Sequence, residues 1–568
     1  MAMDPLCVLC IRDPRAVGRI ALENEHVKEA RLVKRLTRAG AIAAALLLLS
    51  GTAGAAFGSW ETIRVLRNGF TLAVNGRVVD ADTFLVEDRA YVGLRDIAAA
   101  MGMAVTWDPA TRTAALAPRS TAVRLAAPVD PFHPVIDLAT LGLRAEDVEA
   151  IGLETEGEPY VPVRFTLQWD QLVIADEQAS AEGRPVLALD TDYVLKLVTP
   201  TGGMLRVGFT TGGLPELADT GERQVVLVPA MPELGFHWPY FLVLPSAAHL
   251  QANEGHRRYL VVEMNNTGPS GSLADTVART RAELKQGQPL AARLAEQLWA
   301  PLLMPAVPRP VITYRYGGEE NTFFTHALDR DTATLHLMMQ DPHLAALLAR
   351  QFSQAGFTVE SLMHLDRQVA AMIDHAVGYL NRYGFGVEEQ VFVVGFSASG
   401  TFADRFAALH PEKVKALVAG AALDNLLLPL AEHRGEKLIY PIGTADYAEI
   451  AGRPFDLAAH NRVARLIYMG EDDPNNTLPY RDSYGDEERR IITKLWGEAV
   501  LPRAEALTRL YGEAGGRGIF ILDRGVGHAY SEAMYEYMKA FLEANRDGDE
   551  PVYPLPADPE QLRFTGWF

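Results

Sequence analysis

Ser397 lies inside VFVVGFSASGTFADRF (391–406), where apolar residues run into Gly-Phe-Ser-Ala-Ser-Gly and a helical pattern follows. A hydroxyl is a poor nucleophile at neutral pH and needs a base beside it. A sharp strand-to-helix turn lifts it clear of the backbone, provided the positions two before and two after are small, because strand and helix nearly touch there. Gly395 and Ser399 meet that limit, with Gly400 next; Ser399 stands where glycine is usual. Tight packing of small residues at a corner is the competing reading. The base expected is His528, which follows the apolar run GIFILD (518–523) and Gly-Val-Gly, where a loop can carry an imidazole toward the turn. A carboxylate must hold that imidazole's tautomer and stabilise its cation. Asp473, three past Gly470 at the end of ARLIYMG (464–470), is preferred to Asp472, and Asp424 ranks third. An acyl-transfer intermediate also needs donors for its oxyanion. The N–H of Ala398 is one; the other is placed at Asn266 and Thr267, in the turn after YLVVEM (259–264), which otherwise reads as a plain polar turn. His364, His375 and His410 fall on helical patterns and read as structural.

The elements that must position these groups are short, continuous apolar runs: 259–264, 391–396, 414–420, 464–470 and 518–523. Such runs suit strands buried on both faces of a parallel sheet. Amphipathic stretches such as LDRQVAAMIDHAVGYLNRYG (365–384) lie between them. The alternation predicts a doubly wound α/β domain over 238–545, followed by an extended, Pro- and acid-rich tail at 546–568. Residues 62–118 predict a small α+β module, with an Asn75-Gly76 turn, a short helix near Leu94–Met101 and a final hairpin. Residues 120–235 carry period-two apolar patterns and predict a β-sandwich.

Residues 1–55 read as an N-terminal extension and export signal rather than fold. Lys28, Arg31, Lys34, Arg35 and Arg38 precede the apolar AGAIAAALLLLS (39–50), and Ala53-Gly54-Ala55 offers small residues for cleavage. An uncleaved anchor is the alternative. Both cysteines, Cys7 and Cys10, lie upstream of that point, so the mature chain would carry neither a disulfide nor a thiolate metal site. The net charge of −19 argues against a nucleic-acid surface, which needs clustered Lys and Arg. The expected location is secreted or extracellular, with attachment at the cell surface left open.

Two resemblances refine this reading. VNGRVV and RAYVGLRDIAAAMGMAVTWDPATRTAAL resemble the copper amine oxidase N-terminal-type domain. The chain has no His-x-His pair and no Asn-Tyr-Asp/Glu site of an oxidase core, so no copper and no other cofactor is expected. DTDYVLKLVTPTGGMLRVGFTT is similar to bacterial Ig-like surface modules, for which spacer and polymer- or cell-wall-contacting roles both stay open. EMNNTG, THALDRD, GFSASGTFADRFAALHPEKVKALVAG, YMGEDDPNNTLPY and GVGH together resemble bacterial α/β-hydrolases of the esterase and polyhydroxyalkanoate-depolymerase-like kind. That resemblance implies Ser397 as nucleophile, His528 as base and Asp473 as acid, without a metal, acting on a small or polymeric ester. In THALDRD, His326 and Asp329 either border the cleft or belong to a structural loop. A serine peptidase or amidase of the same fold, and a non-catalytic cell-surface binding protein, are the alternatives.

Overall fold

The computed structural model describes residues 8–11 and 65–567, save 68–69, 75–76, 87–88, 102, 119, 157, 183, 200–202, 267–270, 318, 325–326 and 480–483. The export segment at 28–55 and the Asn75-Gly76 turn lie outside the described residues. Val8–Ile11, in the stretch read as an extension, forms a strand antiparallel to Arg89–Gly93. The chain divides into two compact units, residues 1–175 with 190–212, and residues 176–189 with 213–568.

The first unit opens with short strands, a helix at Leu94–Ala100 and a hairpin of Met103–Asp108 and Thr113–Pro118. Two small sheets follow. One holds Ala150–Thr155, Asp192–Val198, Met204–Thr210 and Ser120–Arg124; the other holds Val135–Asp137, Gln171–Ala175 and Arg164–Gln168. Alternation explains their burial: Tyr193, Leu195 and Leu197 point inward from one strand, while their neighbours are partly exposed.

The second unit is built on nine strands: β1 (Gln224–Val228), β2 (Tyr240–Leu244), β3 (Val261–Val262), β4 (Leu302–Pro305), β5 (Val391–Phe396), β6 (Val414–Gly420), β7 (Ala464–Gly470), β8 (Ile519–Asp523) and β9 (Leu562–Trp567). Their spatial order is β1-β2-β4-β3-β5-β6-β7-β8-β9. Strands β4, β3, β5, β6, β7 and β8 are parallel to their neighbours in that run, β2 opposes β1 and β4, and β9 opposes β8. This is the mixed, doubly wound sheet of an α/β-hydrolase.

Six helices matter for the site: α1 (Leu273–Gln286), α2 (Leu290–Gln297), α3 (Leu365–Arg382), α4 (Ala398–Leu409), α5 (Val500–Glu513) and α6 (Glu532–Ala544). The sheet has a core on each face, and successive strand residues enter opposite cores. Val391 and Val393 join Leu417, Ile467, Met372 of α3 and Phe402 of α4. Phe392 and Val394 join Val418, Leu466, Leu294 of α2 and Met538 of α6. Double-sided burial is why these strands read as unbroken apolar runs.

Three segments differ from the sequence expectation. The segment 213–235, read as sandwich, lies in the second unit, because Gln224–Val228 is an edge strand paired antiparallel with Tyr240–Leu244. It buries Val226 and Val228 and leaves Val225 43% exposed, the same alternation a sandwich strand shows. Residues 176–189 also belong to the second unit, where the helix Glu177–Glu182 packs on α1. The tail read as 546–568 ends in β9, which extends the sheet.

Candidate active site

The turn between β5 and α4 is held by contacts that exclude any larger residue. Ser397 has φ 62° and ψ −124°, a conformation side-chain-bearing residues rarely adopt and one that costs about 1–3 kcal/mol. Its N–H donates to Gly420 O at 2.9 Å, and its carbonyl accepts the N–H of Thr401 at 2.9 Å, which starts the helix. A Cβ on Gly395 would lie 2.2 Å from Ser399 O, and one on Gly400 would lie 2.3 Å from Gly420 O. The helix therefore crosses the strand end at backbone contact, and the Ser397 side chain is left half-buried at the carboxyl edge of the sheet.

Asp473 and His528 are brought together from the ends of β7 and β8. His528 Nδ1 lies 2.8 Å from Asp473 Oδ2. Asp473 is 8% exposed, and its second oxygen accepts the N–H of Asn475 at 2.8 Å. A buried carboxylate on Nδ1 places the ring proton there and turns Nε2 into the free acceptor. The loop bearing His528 comes close because Gly470 has no side chain: a Cβ there would sit 2.1 Å from Gly527 O. Asp472 N donates to Val526 O at 2.9 Å and fixes the same approach, but the Asp472 side chain faces solvent. Asp424 is buried against Arg503, with Oδ2 2.7 Å from Nη2; burial pushes its carboxyl up against the pull of that guanidinium. Among the three candidate carboxylates, the one on the imidazole is Asp473.

The His528 ring stands against Phe396, the residue before Ser397, with centroids 5.0 Å apart. No hydrogen bond joins Ser397 Oγ to His528 among the described residues; free enzymes often hold such bonds long until substrate arrives. Ala398 is the first residue of α4, where N–H groups have no partner inside the helix. Asn266 reaches the same turn: its Nδ2 donates to Phe396 O at 2.7 Å. Thr267 and His326 lie outside the described residues. Asp329 caps the helix Arg330–Met338, accepting the N–H of Thr332 at 2.8 Å, and is 5% exposed.

The three histidines read as structural have such partners. His375 Nδ1 meets Tyr240 Oη at 2.7 Å, His410 Nε2 meets Asp366 at 2.9 Å, and the His364 ring lies 4.5 Å from that of His336, tilted by 34°. Among the described residues, no group of three or more His, Cys, Asp or Glu is placed to hold a metal ion. None of their helices is long and apolar enough to cross a membrane.

A cleft of about 190 Å³ opens beside Phe396, the residue before Ser397, and is lined also by Glu263, Asn266, Leu290, Met304 and Tyr530. Glu263 and Tyr530 were not singled out from sequence. Glu263 could have been: it is a charge inside an otherwise apolar strand run, and full burial of glutamate is rare unless it is paired. It is 3% exposed.

Comparison with known proteins matches a family model to one part of the chain. The family model of the copper amine oxidase N-terminal domain matches residues 73–168, which carries the resemblance past the end of the small module into the first sheets. A search of curated proteins gave no significant match. Among solved structures, a poly(aspartic acid) hydrolase from Sphingomonas sp. KT-1 is 15% identical, covering 56% of this chain and 97% of its own, with TM-score 0.31. A poly(3-hydroxybutyrate) depolymerase from Bordetella parapertussis is 17% identical, covering 57% and 90%, with TM-score 0.32. An S-formylglutathione hydrolase from Agrobacterium tumefaciens is 14% identical, covering 58% and 96%, with TM-score 0.31. Residues 73–168 thus match the copper amine oxidase N-terminal domain, ahead of a unit with the strand order of an α/β-hydrolase.

Proposed function

We propose that this protein is an exported serine hydrolase that cleaves carboxylic esters through an acyl-enzyme. The observation that carries the reading is the 2.8 Å bond between buried Asp473 and His528, on a loop packed against the residue before Ser397. Ser397 Oγ attacks the ester carbonyl while His528 Nε2 takes its proton. The oxyanion is held by the N–H of Ala398 and by the turn at Asn266 and Thr267. The imidazolium, stabilised by Asp473, then gives the proton to the departing alcohol. Water, deprotonated by the same nitrogen, clears the acyl group and returns Ser397. The basic-then-apolar segment at 28–50 supports action outside the cytoplasm, on a small or polymeric ester. The modules before the catalytic unit are read as a spacer or a polymer contact.

The test is a side-by-side assay of the purified protein with p-nitrophenyl acyl esters and aminoacyl anilides. Ester cleavage that disappears in Ser397→Ala is the expected result. Anilide cleavage without ester cleavage would make the protein a peptidase or amidase. Activity unchanged by Ser397→Ala would leave the site without a catalytic role.

A further inference from the structure

Glu263 is the buried charge that the reaction above leaves unused. It follows β3, three residues before Asn266, and its carboxylate bridges two elements. Oε2 accepts the N–H of Ala291, in the first turn of α2, at 2.9 Å. Oε1 takes the hydroxyl of Ser399 at 2.9 Å. Ser399, 1% exposed, accepts the N–H of Phe396 at 2.9 Å and lies 3.0 Å from Phe396 O. Phe396 O in turn accepts Asn266 Nδ2. The serine standing where glycine is usual therefore closes a circuit that runs Glu263, Ser399, Phe396, Asn266 and encloses the turn bearing Ser397.

We propose that Glu263 is a positioning residue for the nucleophile: through Ser399 its carboxylate fixes the turn that aims Ser397 and the N–H of Ala398. The inference rests on the hydrolase reading of that turn. Ser399 has one hydroxyl proton and two acceptors within reach. An ionised Glu263 draws that proton, since a bond to a charged acceptor is the stronger. Phe396 O is then left to Asn266. A protonated Glu263 is a donor. It turns the Ser399 proton fully onto Phe396 O, which then shares its electron density between Ser399 and Asn266, and the Asn266 bond that ties the oxyanion turn to the nucleophile weakens.

The surroundings make this exchange accessible near neutral pH. Burial pushes Glu263 up to about 7, against the bonds from Ala291 and Ser399, and Glu283 of α1 adds to the rise. Tyr468 of β7 faces the same region, with a buried hydroxyl that has no hydrogen-bond partner among the described residues. Tyr530, after β8, lines the same cleft and accepts Arg293 Nη1 of α2 at 3.0 Å.

The test is the rate at which a fluorophosphonate labels Ser397 between pH 6 and 8.5, in the full chain and in Glu263→Gln. Glutamine keeps its oxygen on the N–H of Ala291 and presents an amide donor to Ser399, the arrangement of the protonated acid. Labelling at pH 8 is expected to fall about tenfold, a fraction of what losing an oxyanion donor costs. The part of the pH dependence centred near 7 is expected to vanish. Ser399→Gly, which removes the hydroxyl and restores the usual residue, is expected to show the same loss, and the double variant no more than either single. Ser399→Gly carries the test alone if Glu263→Gln does not fold. Variants labelled at the wild-type rate with the wild-type pH profile, or losses that multiply in the double variant, overturn the proposal while leaving the hydrolase reading intact. A wild-type chain that takes no label overturns both.

Discussion

Asp472 and Asp473 are adjacent at the end of β7, yet they face different environments, and under the proposed function that difference makes Asp473 the acid. Asp473 is 8% exposed and bonded to His528; Asp472 lends only its backbone N–H and keeps its carboxylate in water. Asp473→Asn should lower kcat for ester hydrolysis by roughly 10⁴-fold, because an amide favours the wrong imidazole tautomer. Asp472→Asn should leave kcat within about twofold. Steady-state kinetics on both variants decides the matter, and the reverse ranking would move the acid to position 472. Ser397, Asp473 and His528 could be picked out as candidates from sequence because each follows a recognisable apolar run within five residues. Glu263 stands out as a charge in an apolar run, but its role does not, because its partners Ser399 and Ala291 are distant from it in sequence.

At the scale of elements, close approach does the positioning. Gly470 allows the loop at 526–528 to close over β7, so Gly470→Ala should displace His528 and cut kcat about a hundredfold, the usual cost of an ångström of misplacement. A melting curve near that of wild type, together with wild-type kcat, would contradict this role. Behind the turn, α4 is anchored to β7 by a fully buried pair, Asp404 Oδ1 and Arg465 Nη1 at 2.9 Å. Asp404→Ala strands that guanidinium and should cost about 3–5 kcal/mol in chemical denaturation. A loss under 1 kcal/mol would mean the pair is dispensable. Strands β3, β5, β6, β7 and β8 were legible because both their faces are buried. Strands β1 and β9 were not, because an edge strand alternates like a sandwich strand and the last one hides in a Pro-rich tail. Pattern gives a strand's period but not its partner, so 213–235 reads as sandwich although Gln224–Val228 pairs with Tyr240–Leu244.

For the molecule as a whole, the buried glutamate links stability to pH. Its folded-state pKa is raised, from about 4.5 to about 7, so the neutral form is the one the fold prefers. Its contribution is fully present below the ordinary glutamate range and is lost as the pH climbs through 7, by about 3 kcal/mol in all. Relative to Glu263→Gln, wild type should therefore lose stability between pH 4.5 and 7.5; equal slopes in paired denaturation series would exclude the effect. The two-unit organisation was partly legible, since period-two patterns give way to continuous apolar runs beyond residue 238, but the division falls at 212–213 and the excursion of 176–189 into the second unit leaves no mark on the sequence. The account as a whole depends on one covalent event. Intact-mass and peptide mapping after phosphonate treatment should find a single adduct on the peptide carrying Ser397, absent in Ser397→Ala and strongly slowed in His528→Ala. An adduct elsewhere, or none on a protein that still hydrolyses esters, would contradict it.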